Sequence, residues 1–273
     1  MFIVISASLC ALLVVTLLVR HGQQVRQSDR KYQLICELRN LIELLREHRT
    51  LAHTHLCVCD IPPSQCNELK HRIVDTISAL LSNAEMSKRP MLRLLRKQVR
   101  ILLGNWPEMT PSRSQMSHSK SIRVCLYLID EMTLSWLIES EKYDLSERYS
   151  AQWNHIIDSL DALTRFQIAF ADYLDDNPKA LDRVTLKARL LQRKLNQLGL
   201  IAPLTVSAPS SATAMRWLDE VVDSNGGLQR LTQQEVMNEC EALSLVIFRV
   251  YDHMLLDVGE ELSHPLPELS SLH

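Results

Sequence analysis

Residues 2–19, F-I-V-I-S-A-S-L-C-A-L-L-V-V-T-L-L-V, carry no charge. A helix of that length just spans a hydrocarbon core about 30 Å thick, and lipid offers an isolated apolar segment no other way to satisfy its backbone. No basic segment precedes the run and no A-x-A motif with a polar break follows it. The pattern therefore predicts a retained anchor over residues 1–20 rather than a cleaved leader. The flanking positive charges, Arg20, Arg26, Arg30 and Lys31, all follow the run. Positive charge stays on the cytoplasmic side, so a single-pass chain with its C-terminal body in the cytoplasm is expected, joined by a juxtamembrane segment over 21–30. The seven cysteines, Cys10, Cys36, Cys57, Cys59, Cys66, Cys125 and Cys240, are odd in number and lack a framework spacing. That suits a reducing compartment.

The rest of the chain reads as helix. Six glycines and 5% aromatic residues disfavour sheet. From Lys31 to about Leu56, Leu34, Leu38, Leu41, Leu45 and Ala52 form a 3-4 stripe. Asp60 and Pro62-Pro63 break it, and Leu69, Ile73, Ile77, Leu80 and Leu81 carry a second helix to about Asn83. Pro90 opens a third, which Gly104-Asn105 is expected to close. Thr110-Pro111 is an N-cap followed by proline at the first helical position. A fourth helix carries Ile122, Leu126, Ile129, Met132 and Trp136. Ser146 is expected to cap a fifth with the heptad Tyr149, Trp153, Ile156, Leu160, Leu163. Asn177-Pro178 starts a sixth, ended by Gly199. Residues 201–211 read as a linker, followed by a short helix near 212–223 and a turn at 224–227. Thr232-x-x-Glu235 is a capping box for the last helix. The expected fold is all-α: an N-terminal transmembrane helix followed by one or two antiparallel up-down bundles. The bundle domain covers 31–259, with a possible sub-boundary near 201–211 and a flexible tail over 260–273.

Chemistry is sparse. No glycine-rich phosphate loop, nucleophile elbow or zinc-protease motif occurs, so neither an enzyme nor a bound cofactor is expected. A net charge of −2 gives no nucleic-acid footprint. The basic run R-L-L-R-K-Q-V-R at 93–100 reads either as a solvated helix face or as a patch for an anion or a partner. Residues 53–66 gather His53, His55, Cys57, Cys59 and Cys66. Zinc needs four such ligands in a tetrahedron, but positions two apart point to nearly opposite sides of a helix. The stretch is open to three readings: a metal site, a thiol redox site, or a helix-ending bend. Glu68-x-x-His71 and Glu261-x-x-His264 have di-iron spacing, but such a centre needs two pairs on different helices plus two more carboxylates, and the second pair falls in the proline-rich tail, so His71 reads as an ordinary surface histidine.

Arg49 falls where the apolar stripe of the first bundle helix would enter the core. The guanidinium there either pairs with a carboxylate from a neighbouring helix, snorkels its charged head to solvent, or contacts a bound anion. The stretch L-L-R-E-H-R-T-L-A-H-T-H-L at 44–56 resembles the first-helix signature of nitrate- and nitrite-sensing (NIT) domains, roughly L-x-x-E-R-G-x-S. The passage from Trp106 to C-L-Y-L-I-D at 125–130 is similar as well. Arg49 stands at the motif arginine and His48 at its glutamate. The resemblance implies a regulatory input module of paired four-helix bundles that binds nitrate or nitrite between helices through arginines, with Arg49 and His48 as ligand-binding candidates. The expected protein is thus a sensory or interaction domain of a bacterial inner membrane, acting through a protein partner or a homo-oligomer. A tethered helical scaffold without a small ligand is the alternative.

Overall fold

The apolar periodicities become helices from end to end. The computed structural model describes residues 2–58, 63–174, 180–206, 208–223 and 232–267, and among them there is no strand. Helix α1 runs unbroken from Phe2 to Val58, 57 residues or about 85 Å. Gly22 lies inside it with open space around its Cα, so the uncharged run and the first bundle helix are one rod. The side chains of residues 2–11 are outside the described set, and the expected span falls largely on them. Among the described residues, no helix is long and apolar enough to cross a membrane.

Helices α2 (Pro63–Asn83), α3 (Arg89–Asn105) and α4 (Pro111–Glu139) fold back on α1. α1 packs on α2 and α4, α2 on α3, and α3 on α4, which closes an antiparallel four-helix ring. Helices α5 (Tyr143–Leu174), α6 (Ala180–Ile201), α8 (Pro209–Asp223) and α9 (Gln233–Glu261) close a second ring, with the short α7 (Pro203–Val206) between α6 and α8. α4 packs on α5 and joins the two rings, and the buried apolar residues of both form one continuous cluster. The pairs α1–α4 and α5–α9 face each other across the middle of the molecule, while α2–α3 and α6–α8 cover them from outside.

Several local signals act as expected. The Thr110 hydroxyl accepts from the Arg113 N–H, with Pro111 in the first turn. Thr232 and Glu235 form a reciprocal capping box. Other expectations are corrected. α3 does end at Gly104-Asn105, but it passes into a 3-10 turn at Trp106–Glu108 rather than through a left-handed glycine cap. Ser146 does not cap α5. Glu141 takes a left-handed φ of 58° and turns the chain early, so the helix starts at Tyr143. α6 passes Gly199 and ends at Ile201, and α7 and α8 replace most of the 201–211 linker. Asn177-Pro178 and the 224–227 turn lie outside the described residues.

The tail is also corrected as far as Pro267. Tyr32 Oη donates to the Pro265 carbonyl at 2.9 Å, Arg39 Nη1 donates to the Pro267 carbonyl at 3.1 Å, and Leu266 is buried. This return is possible because residue 259 is glycine: a Cβ there would meet the His264 carbonyl oxygen at 2.6 Å. Residues 268–273 lie outside the described set.

Candidate functional site between the helical pairs

Arg39, Arg46 and Arg49 are spaced seven and three residues apart on α1, which puts all three on one face. That face meets α9. Arg39 donates from Nε to Asp252 Oδ1 at 2.9 Å, and its Nη2 lies 2.9 Å from the same oxygen. Arg46 reaches Glu43 through Nη1 and Glu241 through Nη2, both at 3.0 Å, with its guanidinium carbon 4.6 Å above the Phe248 ring. Arg49 Nη2 donates to the other Glu241 oxygen and lies 3.4 Å from Ser244 Oγ. One carboxylate thus holds two buried guanidinium groups.

The two acids on α9 respond differently. Burial acts to raise the Glu241 carboxyl, but Arg49 and Arg46 outweigh it and hold the group below its ordinary range. Burial raises Asp252, and the single Arg39 only partly offsets it. The difference follows from the cations in hydrogen-bond contact: two guanidinium groups reach Glu241 and one reaches Asp252.

Arg49 is therefore buried rather than snorkelling to solvent, with a carboxylate partner on a neighbouring helix. It also lines two small cavities of about 20 and 30 Å³. A third cavity, of about 30 Å³, shares His53, Gln115 and Met237 with one of these and Thr164 and Gln167 with the other. Both amide atoms of Gln115, Nδ1 of His53 and Oε1 of Gln234 are buried around these spaces without a protein partner. Each cavity has room for one or two waters. A four-atom anion fits beside Arg49 only if Glu241 moves.

His48 does not join Arg49. It lines neither of the cavities that Arg49 lines. Its ring is fully buried against α4, with Nδ1 2.8 Å from His118 Nε2, and it meets the edge of Trp106. His118 Nδ1 lies 2.8 Å from the Ser114 carbonyl oxygen, which can only accept. His118 therefore carries its proton on Nδ1, its Nε2 accepts from His48 Nδ1, and His48 Nε2 is left as a buried acceptor without a partner. Burial pushes His48 down to about 4, with Lys70 adding to the effect. Burial and then His48 push His118 down to about 3. Both rings are neutral at pH 7, so His48 supplies no charge to an anion and is corrected to a packing role.

The stretch at 53–66 does not converge on one centre. His53 Nε2 lies 3.4 Å from Cys57 Sγ, the pair that helical spacing puts on one side. His55 turns to the edge of Trp106 instead. Cys66 is buried in the core of the first ring, and Cys59 lies outside the described residues. Among the described residues, no three His, Cys, Asp or Glu side chains are placed to hold a metal ion. Desolvation pushes the Cys57 and Cys66 thiols up, the opposite of an activated thiolate. His71 lies against the Asn67 carbonyl and His264 pairs with Asp29, so the two di-iron-like spacings stay apart.

Arg39, Arg46, His118, Gln115, Glu241 and Asp252 are the site residues that sequence reasoning missed. The 39-46-49 spacing is the signal that could have found the arginines. Nothing local marks Glu241, which reads as one more surface acid on an amphipathic helix. No family model, no curated protein and no solved structure matches the chain.

Proposed function

We propose that the protein is a membrane-anchored helical sensory or interaction domain whose working element is the charged seam between α1 and α9. The carrying observation is that α1 is one rod from Phe2 to the seam, where it meets the second ring through Arg46, Arg49 and Glu241 rather than through close apolar packing. The uncharged run at 2–19 supports the anchor, and Leu12, Val14, Val15, Leu18 and Val19 are exposed apolar residues with nothing packed over them. The positive charges after the run favour a cytoplasmic body. The resemblance to NIT domains, together with a guanidinium beside polar cavities, favours nitrate or nitrite as the ligand. The anion competes with Glu241 for Arg49, loosens α9 from α1 and favours a second packing of the rings.

The test is thermal unfolding of the full-length chain in detergent, with nitrate and nitrite titrated against chloride at constant ionic strength. At 100-fold over its dissociation constant a ligand adds about 2.7 kcal/mol, a shift of several degrees. Arg49→Ala abolishes that shift if the site is assigned correctly. The Arg49–Glu241 pairing itself favours the second reading, a membrane-tethered scaffold with no small ligand, because the guanidinium is already satisfied. Unchanged melting in both anions sinks the sensing reading and leaves the scaffold.

A further inference from the structure

The basic run at 93–100 takes no part in the seam. On α3, Leu92, Leu95, Val99, Leu102 and Leu103 face the core. The outer side carries Leu94, 61% exposed, and Ile101, 51% exposed, two turns apart. Arg93, Lys97 and Arg100 form a ridge beside them, and α3 contains no acidic residue. Among the described residues none of these three cations has an ion-pair or hydrogen-bond partner. A helix with five basic groups, no acids and two solvent-facing aliphatic side chains leaves both charge and apolar surface unmatched.

The matching surface is on the same molecule. Where α1 meets α9, their outer sides form a groove of about 520 Å³. Its apolar lining is Leu44, Ala242 and Leu245, and its acids are Glu43, Glu47 and Glu241. Two arginines also line it, but Arg46 is held by Glu43 and Glu241, and Arg72 lies 3.9 Å from Glu47. Arg49 also reaches Glu241 from the interior, so the acid left open on the rim of the apolar floor is Glu47, whose side chain is 57% exposed.

We propose that the protein associates side by side with a second copy of itself, the outer face of α3 from one copy seated in the α1–α9 groove of the next. The inference rests on the anchor reading of residues 2–19, which holds all copies parallel at one height. Helix register then decides the fit. Lys31 lies opposite Ser135 and His48 opposite His118, which puts Ser121 of α4 level with about residue 45 of α1. Gln98 of α3 donates to Ser121, so α3 residues 94–101 stand at the height of α1 residues 41–48. The groove spans residues 40–50 of α1. Parallel copies therefore bring Leu94 and Ile101 to the level of Leu44, and Lys97 and Arg100 to within a turn of Glu43 and Glu47, without any shift along the membrane normal. Two different surfaces meet, so the contact is head-to-tail and extends into a row or closes into a ring instead of forming a two-fold dimer.

The test uses the full-length chain in phosphatidylcholine–phosphatidylglycerol vesicles, with p-benzoylphenylalanine in place of Leu94. Flotation reports the anchor, and irradiation followed by peptide mapping reports the contact. The expected result is co-flotation and a dimer-sized adduct joining position 94 to peptides from 40–50 or 238–245. Arg100→Glu lowers the adduct roughly fivefold, the size of about 1 kcal/mol, and Glu47→Arg in the same chain restores it. All three positions are solvent-exposed, so these variants keep the fold. A chain that fails to float overturns the anchor reading and the parallel alignment with it. A chain that floats but gives no adduct, an adduct with lipid, or one mapping elsewhere overturns the docking alone.

Discussion

The interior of the first ring and the seam between the rings are built on the same helix and behave as opposites. Inside the ring, α1 presents Leu34, Leu38, Leu41, Leu45 and Ala52, all buried against apolar neighbours. Toward α9 it presents Arg39, Arg46 and Arg49, buried against carboxylates. Apolar burial is roughly proportional to area and tolerates small shifts. Buried ion pairs contribute little net stability but strongly oppose loss of one partner. The ring is therefore the stable part of the molecule, and the seam is the part most sensitive to loss of a single partner.

The largest expected effect breaks the ring side of that contrast. Leu45 is fully buried, and Leu45→Ala costs about 3–5 kcal/mol in urea unfolding through lost burial and a residual cavity. A cost under about 1 kcal/mol would mean the first ring is not the rigid half.

The seam is next. Glu241→Gln leaves Arg46 and Arg49 without their shared charge. A fully buried broken pair costs about 3–5 kcal/mol, and the partial exposure of Glu241 brings the expected loss to about 2–3 kcal/mol. Arg49→Met combined with Glu241→Gln costs less than the sum of the two single changes, because the second removes the orphan left by the first. Additive losses in that cycle would show that the two side chains do not interact.

Acid separates the regions more gently. His48 and His118 have folded-state values of about 4 and 3, below the unfolded value near 6.5. The unfolded chain takes up protons first, so full stability is present above about pH 6.5 and is lost as pH falls toward the folded values. The slope approaches about 1.4 kcal/mol per pH unit for each ring. Between pH 6.5 and 5.5 the combined loss is about 2 kcal/mol, and His118→Phe removes about half of that dependence, because His48 is held down by its own burial. In the seam the signs oppose each other. Glu241, held low, stabilises above its unfolded value near 4.3 and loses this as pH falls through its folded value. Asp252, held high, disfavours folding once pH rises through its raised value and is relieved below it. Asp252→Asn therefore costs less at pH 7 than Glu241→Gln, and equal losses would contradict the different environments of the two acids.

How far these features were legible depends on how far the causes reach along the chain. The stripe Leu34 to Ala52, the Thr110-Pro111 start and the Thr232–Glu235 box were readable, because periodicity and caps act within one or two turns. The Gly104-Asn105 end of α3 was readable too, although the chain leaves it through a 3-10 turn, and Ser146 was misread as a cap because Glu141 had already turned the chain.

The sequence by itself determined an all-helical body, its apolar faces and the place of Arg49 on one of them, since each follows from side-chain spacing on a 3.6-residue helix. Only the tertiary structure decided what the buried polar groups meet. Glu241 lies 192 positions from Arg49, His118 lies 70 from His48, and the tail at 265–267 returns to Tyr32 and Arg39 more than 200 positions away. Hydrogen bonds and ion pairs act over about 3 Å in space and leave no period in the chain, so no pattern in either segment names its partner.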